Sequence, residues 1–174
     1  MTKALKVLLA LVVFAGQFSA VEARGKKFAE KGDIVKVNYT GRLADGRIFD
    51  TSEGAQPLEF IAGAGQMIKG FDAAILGMKK KEQKTVKIPA AEAYGLVDET
   101  RIVEIDKSKM PASVELKPGS KLNMNSPTGQ SFPVRIVDVS EEVVTIDANH
   151  SLAGKDLIFD IELISVEAPK KAKK

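Results

Sequence analysis

The chain has 174 residues, of which 44% are hydrophobic and 28% charged, ordinary globular proportions that exclude a disordered tail protein and a polytopic membrane protein. Cys and Trp are absent and His150 is the one histidine, which removes disulfides, thiolate or histidine-cluster metal sites and cysteine nucleophiles together. The formal charge of +3 sits at the ends: setting aside Lys3, Lys6 and Glu22 in residues 1–23, and Lys170, Lys171, Lys173 and Lys174, reduces 26 basic and 23 acidic residues to 20 and 22. No nucleic-acid surface is expected on that nearly neutral remainder.

Lys3 and Lys6 precede an apolar run from Val7 to Gly16, and Val21-Glu22-Ala23 places small residues before a cleavage point. This pattern predicts a secretory signal peptide over residues 1–23 and a periplasmic or secreted product. The run has ten residues, against the about 20 that a spanning helix needs, so no stable membrane insertion is expected once the segment is cleaved. An uncleaved amphipathic N-terminus is the alternative.

From Ile34 to Leu43, Val35, Val37, Tyr39 and Gly41 alternate with Lys36, Asn38, Thr40 and Arg42, the period of a half-buried strand. Asp45-Gly46 is a tight-turn dipeptide, and Ile48 to Thr51 resumes the extended pattern to complete a hairpin. Pro57 to Ile61 is a further short strand, and Gly63-Ala64-Gly65 a loop. Phe71, Ala74, Ile75 and Met78 recur at helical spacing and predict one short helix over Gly70 to Met78. Strands are expected again at Gln83 to Ile88 and Leu157 to Val166. Between them Arg101 to Ile105, Leu122 to Met124, Phe132 to Val139 and Val143 to Ile146 alternate, with turns at Lys117-Pro118-Gly119, Pro127-Thr128-Gly129 and Ser140-Glu141-Glu142. Residues 98–147 thus read as a small β unit set into the larger one. Residues 168–174 read as a solvated Lys-rich tail, with contact to RNA or anionic lipid the alternative.

The sequence offers no nucleophile–base–orienter triad, because His150 lies in Asn149-His150-Ser151 with no nucleophile elbow nearby. Gly63-Ala64-Gly65 fails as a phosphate loop, since no parallel strand and helix flank it. Aromatic usage says more: outside the N-terminal segment the aromatics are Phe28, Tyr39, Phe49, Phe60, Phe71, Tyr94, Phe132 and Phe159.

The run Val37-Asn38-Tyr39-Thr40-Gly41-Arg42-Leu43-Ala44-Asp45-Gly46-Arg47-Ile48-Phe49-Asp50-Thr51-Ser52 closely resembles the first motif of the FKBP-type peptidyl-prolyl isomerases. Met67-Ile68-Lys69-Gly70-Phe71, Ala93-Tyr94-Gly95 and Leu157-Ile158-Phe159-Asp160-Ile161-Glu162-Leu163 resemble its later motifs, in order. The insertion after Tyr94-Gly95, followed by Asp147-Ala148-Asn149-His150-Ser151-Leu152-Ala153-Gly154, is similar to the SlyD-like subgroup, whose insert-in-flap domain binds unfolded chains. The resemblance spans Lys31 to Val166 and implies an α+β fold: an antiparallel half-barrel around one short helix, formed by 27–97 and 148–167, with the β-rich flap domain at 98–147.

The resemblance implies rotation of X-Pro bonds in exported, partly folded polypeptides, by a monomer without cofactor or metal. Tyr39, Phe49, Asp50, Ile68, Tyr94 and Phe159 are its expected catalytic residues, with Phe60, Met67 and Phe71 as pocket residues that bind substrate. Phe71 stands where many members have Trp, and the tail lacks the His- and Cys-rich metal segment of some SlyD-like proteins. The Ile68 backbone N–H and the Tyr94 hydroxyl are implied to hold substrate carbonyls, while Asp50 either stabilises the twisted amide or orients its neighbours. Met110, Met124 and Phe132 are the expected client contacts in the insertion, where flexible Met side chains suit adaptable binding; the alternative is that they form its own core. His150 is expected to be structural. A second function class stays open, a periplasmic holdase with a weak or vestigial isomerase pocket.

Overall fold

The computed structural model describes residues 28–110, 115–125 and 129–169. The segment expected to be a signal peptide, the lysines after Pro169 and the turn expected at Pro127-Thr128 lie outside those residues. Among the described residues nine strands form two antiparallel sheets and one α-helix packs on the larger, the α+β half-barrel with an inserted β unit: β1 (Ile34–Leu43), β2 (Ile48–Thr51), β3 (Leu58–Ile61), α1 (Lys69–Ile75), β4 (Gln83–Ile88), β5 (Ile102–Asp106), β6 (Lys121–Asn125), β7 (Ser131–Val139), β8 (Val143–Asp147) and β9 (Leu157–Glu167).

The larger sheet runs β2–β1–β9–β4, and β3 also pairs with β1. One edge of β1 therefore serves two short strands, β3 along Ile34–Val37 and β2 along Thr40–Arg42. Its other edge pairs with β9 along its whole length. Alternation delivers the core, since Val35 and Val37 of β1 and Leu157, Phe159, Ile161 and Leu163 of β9 are all buried on the side that α1 covers. The β9 alternation then changes phase. Lys36 pairs with Ser165 and Val37 with Leu163, so Ile164 is an extra residue, a bulge that returns Val166 to the core.

α1 ends at Ile75, three residues short of the span that the apolar spacing predicts. Leu76 is extended and Gly77 takes φ +81°, a left-handed conformation that glycine adopts without a Cβ clash. The Met78 N–H closes a turn on the Ile75 carbonyl. Met78 is still 2% exposed, brought to the core by a turn where the periodicity had put another helical residue.

The second sheet runs β5–β8–β7–β6 and closes on a small core of Val134, Ile136, Val144 and Ile146. A bulge acts here too: the register shifts between Ile136 and Asp138, and Val137 is left 44% exposed. The two crossings between the sheets are laced together. Asn149 Oδ1 accepts the Asp98 N–H at 3.0 Å and its Nδ2 donates to the Asp98 carbonyl at 3.0 Å. The Ala148 N–H also donates to the Arg101 carbonyl. Among the described residues no helix is long and apolar enough to cross a membrane.

Candidate active site

Where α1 meets the inner faces of β1, β2 and β9, three aromatic rings pack around Phe71. Its ring lies 5.1 Å from Phe159 at 71°, 5.8 Å from Tyr39 at 80° and 6.0 Å from Phe60. Phe49 closes the group with an edge-on contact to Phe159 at 5.5 Å, the geometry that ring quadrupoles favour. Gly41 makes that closure possible, because a Cβ there would stand 2.6 Å from Phe49 and 2.9 Å from Phe159.

Tyr39, Phe49, Phe71 and Phe159 wall a cavity of about 80 Å³, lined also by Asp50, Leu58, Met67, Ile68 and Tyr94. Tyr39 reaches it from β1, with its backbone fixed by Ser52: the Tyr39 N–H donates to Ser52 Oγ at 2.8 Å and the Ser52 N–H to the Tyr39 carbonyl at 2.9 Å. The Tyr39 hydroxyl donates to Asp50 Oδ2 at 2.7 Å. Burial, then this hydrogen bond and the charge of Asp50, push the phenol up to about 12, so it remains a neutral donor at all ordinary pH. Ile68 stands at the N-cap of α1, and its carbonyl accepts the Asp72 N–H. Its own N–H has no hydrogen-bond partner among the described residues and is available to a ligand.

The loop before Ile68 is held from inside. Asp72 is 7% exposed, and its carboxylate accepts the N–H groups of Gly63 at 2.6 Å and Gly65 at 2.9 Å. Tyr94 follows a short 3₁₀ turn, Ala90–Glu92, and is 40% exposed at the rim. The imidazole of His150 lies flat against its ring, with centroids 3.9 Å apart and planes 6° from parallel.

The structure thus gathers Tyr39, Phe49, Asp50, Met67, Ile68, Phe71, Tyr94 and Phe159 around one cavity. Phe60, expected from the sequence to bind substrate, does not line this cavity; it packs against Phe71, with ring centroids 6.0 Å apart. Leu58, two residues earlier on the same face of β3, takes the lining position instead. The alternation of β3 marks both residues as facing inward, and that was the signal available for Leu58. Met110, Met124 and Phe132 are half-buried against the core of the insertion, away from this cavity.

A larger groove of about 650 Å³ runs over the outer faces of β1, β4 and β9, among Asn38, Thr40, Thr85, Asp160 and Glu162. Its polar side chains bond to one another, with Thr85 Oγ1 donating to Asp160 and Asn38 Nδ2 to Glu162. It lacks the apolar wall of the smaller cavity. Among the described residues no group of three His, Asp or Glu side chains could hold a metal ion.

A model of the FKBP-type peptidyl-prolyl cis-trans isomerases matches residues 25–164. A short-type peptidyl-prolyl cis-trans isomerase of Methanocaldococcus jannaschii is 38% identical over 152 residues, covering 79% of this chain and 94% of the relative. The FKBP-type isomerase SlyD of Treponema pallidum is 35% identical over 76% of this chain and 75% of its own length. That of Escherichia coli is 31% identical, covering 76% and 67%.

Proposed function

The chain belongs to the FKBP-type peptidyl-prolyl cis-trans isomerases, in their SlyD-like form, and from that premise we propose that it serves exported polypeptides, captured unfolded by the insertion and isomerised in the aromatic cavity. One observation supports this reading above the others: the apolar cavity and the second, half-buried apolar surface belong to separate sheets joined by two laced crossings.

Rotation about an X-Pro bond crosses a barrier of ~18–20 kcal/mol because amide resonance is lost on the way, and no covalent intermediate is needed. Phe49, Phe71 and Phe159 surround the prolyl ring with apolar surface and strip water from its amide. The twisted amide is the less polar form, so this dry wall favours it over the planar ground state. The Ile68 N–H and the Tyr94 hydroxyl hold the carbonyls on either side of the rotating bond. Asp50 accepts the hydrogen bond of the Tyr39 hydroxyl and so orients that ring.

In the insertion, Met110, Met124 and Phe132 present flexible apolar surface at the margin of a small core, suited to chains of varied sequence. The Lys3, Lys6 and Val7–Gly16 pattern supports export to the periplasm or beyond. Clients are unfolded chains bearing X-Pro bonds, and the working form is a monomer without nucleic-acid partners.

The test replaces residues 98–147 by a short Gly-containing turn. Isomerisation of a proline tetrapeptide should persist, because the cavity residues lie outside the cut. Catalysis of a proline-limited refolding reaction should fall much further, since tethering raises the local client concentration by up to ~10²-fold or more. Equal losses on both substrates would refute capture by the insertion. Suppressed aggregation by the intact protein, with isomerisation of neither substrate, would replace the enzyme reading with a holdase.

A further inference from the structure

The stack of His150 on Tyr94 has no part in the mechanism above. It is also unlike the other ring contacts of the cavity, which are tilted or edge-on at 48° to 87°. The Tyr94 ring lies 40% exposed at the rim, and its hydroxyl has no hydrogen-bond partner among the described residues. The flat contact with His150 is the ring contact that the structure gives it.

His150 is itself pinned. Its Nδ1 accepts the Leu152 N–H at 3.2 Å, which fixes the ring orientation and leaves the proton of the neutral imidazole on Nε2. The His150 carbonyl accepts the Ala153 N–H at 2.8 Å. On the other side Asn149 grips Asp98, and the Asn149 N–H donates to Asp147 Oδ1 at 2.9 Å. The Tyr94 segment is tied to the same strip of chain, because the Gly154 N–H donates to the Gly95 carbonyl at 2.8 Å. Two residues, 56 positions apart in the chain, thus lie face to face within a hydrogen-bonded frame.

We propose that His150 is a positioning residue for the isomerase. Its imidazole face holds the Tyr94 ring so that the hydroxyl points over the cavity, and it reaches that place on the segment that returns from the insertion. The assignment rests on the reading of the Tyr94 hydroxyl as a substrate hydrogen-bond donor. What acts is the flat face of the ring, so another planar ring can substitute for it.

The experiment measures tetrapeptide kcat/KM for His150→Ala, His150→Phe, Tyr94→Phe and the double variant Tyr94→Phe/His150→Ala. His150→Ala should lose roughly two- to tenfold, the range into which one ring–ring contact converts, and His150→Phe should recover most of it. In the Tyr94→Phe background, where no hydroxyl remains to be placed, His150→Ala should cost nothing further. As the one histidine of the chain, His150 also gives imidazole NMR signals free of overlap. They should shift saturably as the tetrapeptide is titrated, with the affinity seen in catalysis, a readout that a merely structural role would not move and that needs no variant to fold.

An unchanged rate in His150→Ala would overturn the proposal, as would no recovery in a folded His150→Phe, an equal loss in the Tyr94→Phe background, or silent imidazole signals. A full rate in Tyr94→Phe alone would overturn the underlying role of the Tyr94 hydroxyl, and is distinguished by needing no change at His150.

Discussion

Replacing Asp72 by Ala should remove about 2–4 kcal/mol of folding stability, through two hydrogen bonds that the carboxylate accepts from the loop ahead of α1. Gly63 is half-buried and Gly65 exposed as residues, so the two losses should differ in size. An orphaned, partly buried donor costs ~1–3 kcal/mol, whereas an exposed one turns to water and gives up ~1 kcal/mol of net bond strength. With a urea dependence of ~2 kcal/mol per molar, the unfolding midpoint should fall by about 1–2 M at unchanged slope. Asp72→Asn keeps one acceptor oxygen and should lose about half as much. Because the loop leads directly into Met67 and Ile68 at the cavity, kcat/KM should fall along with stability. A midpoint for Asp72→Ala within error of the parent would refute the reasoning and show that the loop holds its shape unaided.

Tyr94→Phe and Asp50→Ala should each lower kcat/KM, every tenfold loss corresponding to ~1.4 kcal/mol of transition-state stabilisation; folded variants at the parental rate would mean that the catalytic groups lie elsewhere. In Asp50→Asn the Tyr39 phenol should titrate below its parental value of about 12, since a charge and an ionic hydrogen-bond acceptor are both gone; an unmoved ultraviolet titration would leave burial as the sole cause. Acid should loosen the crossings first. Asp98 is held below 3.8 by its Thr100 hydrogen bonds, and in Asp147 burial raises the value but the bonds from Asn149 and Arg135 outweigh it. Depressed folded-state values contribute stability that is complete above about pH 4–5 and drains as pH falls below it. Protection from hydrogen exchange at 98–101 and 147–149, taken relative to the intrinsic rate at each pH, should therefore fall below pH 4 before that of the β1–β9 amides, and simultaneous loss would contradict this.

The parts of the fold written in local order were legible. Alternation located β1, β4 and β9, and Asp45-Gly46 located the hairpin, because both signals reside in neighbouring residues. Depth was less legible. Leu58 and Phe60 share one face of β3, yet one lines the cavity and the other lies behind it, because that choice depends on where α1 covers the sheet. The end of α1 escaped the apolar spacing since Met78 meets the core by a turn at Gly77. His150 carried no periodic signal at all; its place against Tyr94 arises from the way the insertion closes.

The full-length pairing of β1 with β9 also governs how this protein comes to fold. Asn38 and Glu162 meet 124 positions apart, so the centre of the larger sheet cannot zip until nearly the whole chain has emerged. Contacts of that range slow folding because a long loop must be closed before any reward arrives. The inserted unit shortens the wait, since its strands pair largely with near neighbours in the chain and its ends are drawn together at Asp98 and Asn149. Once that unit has formed, β9 is delivered beside β4 as if some fifty intervening residues were a single link. The insertion is then a folding aid to its own chain.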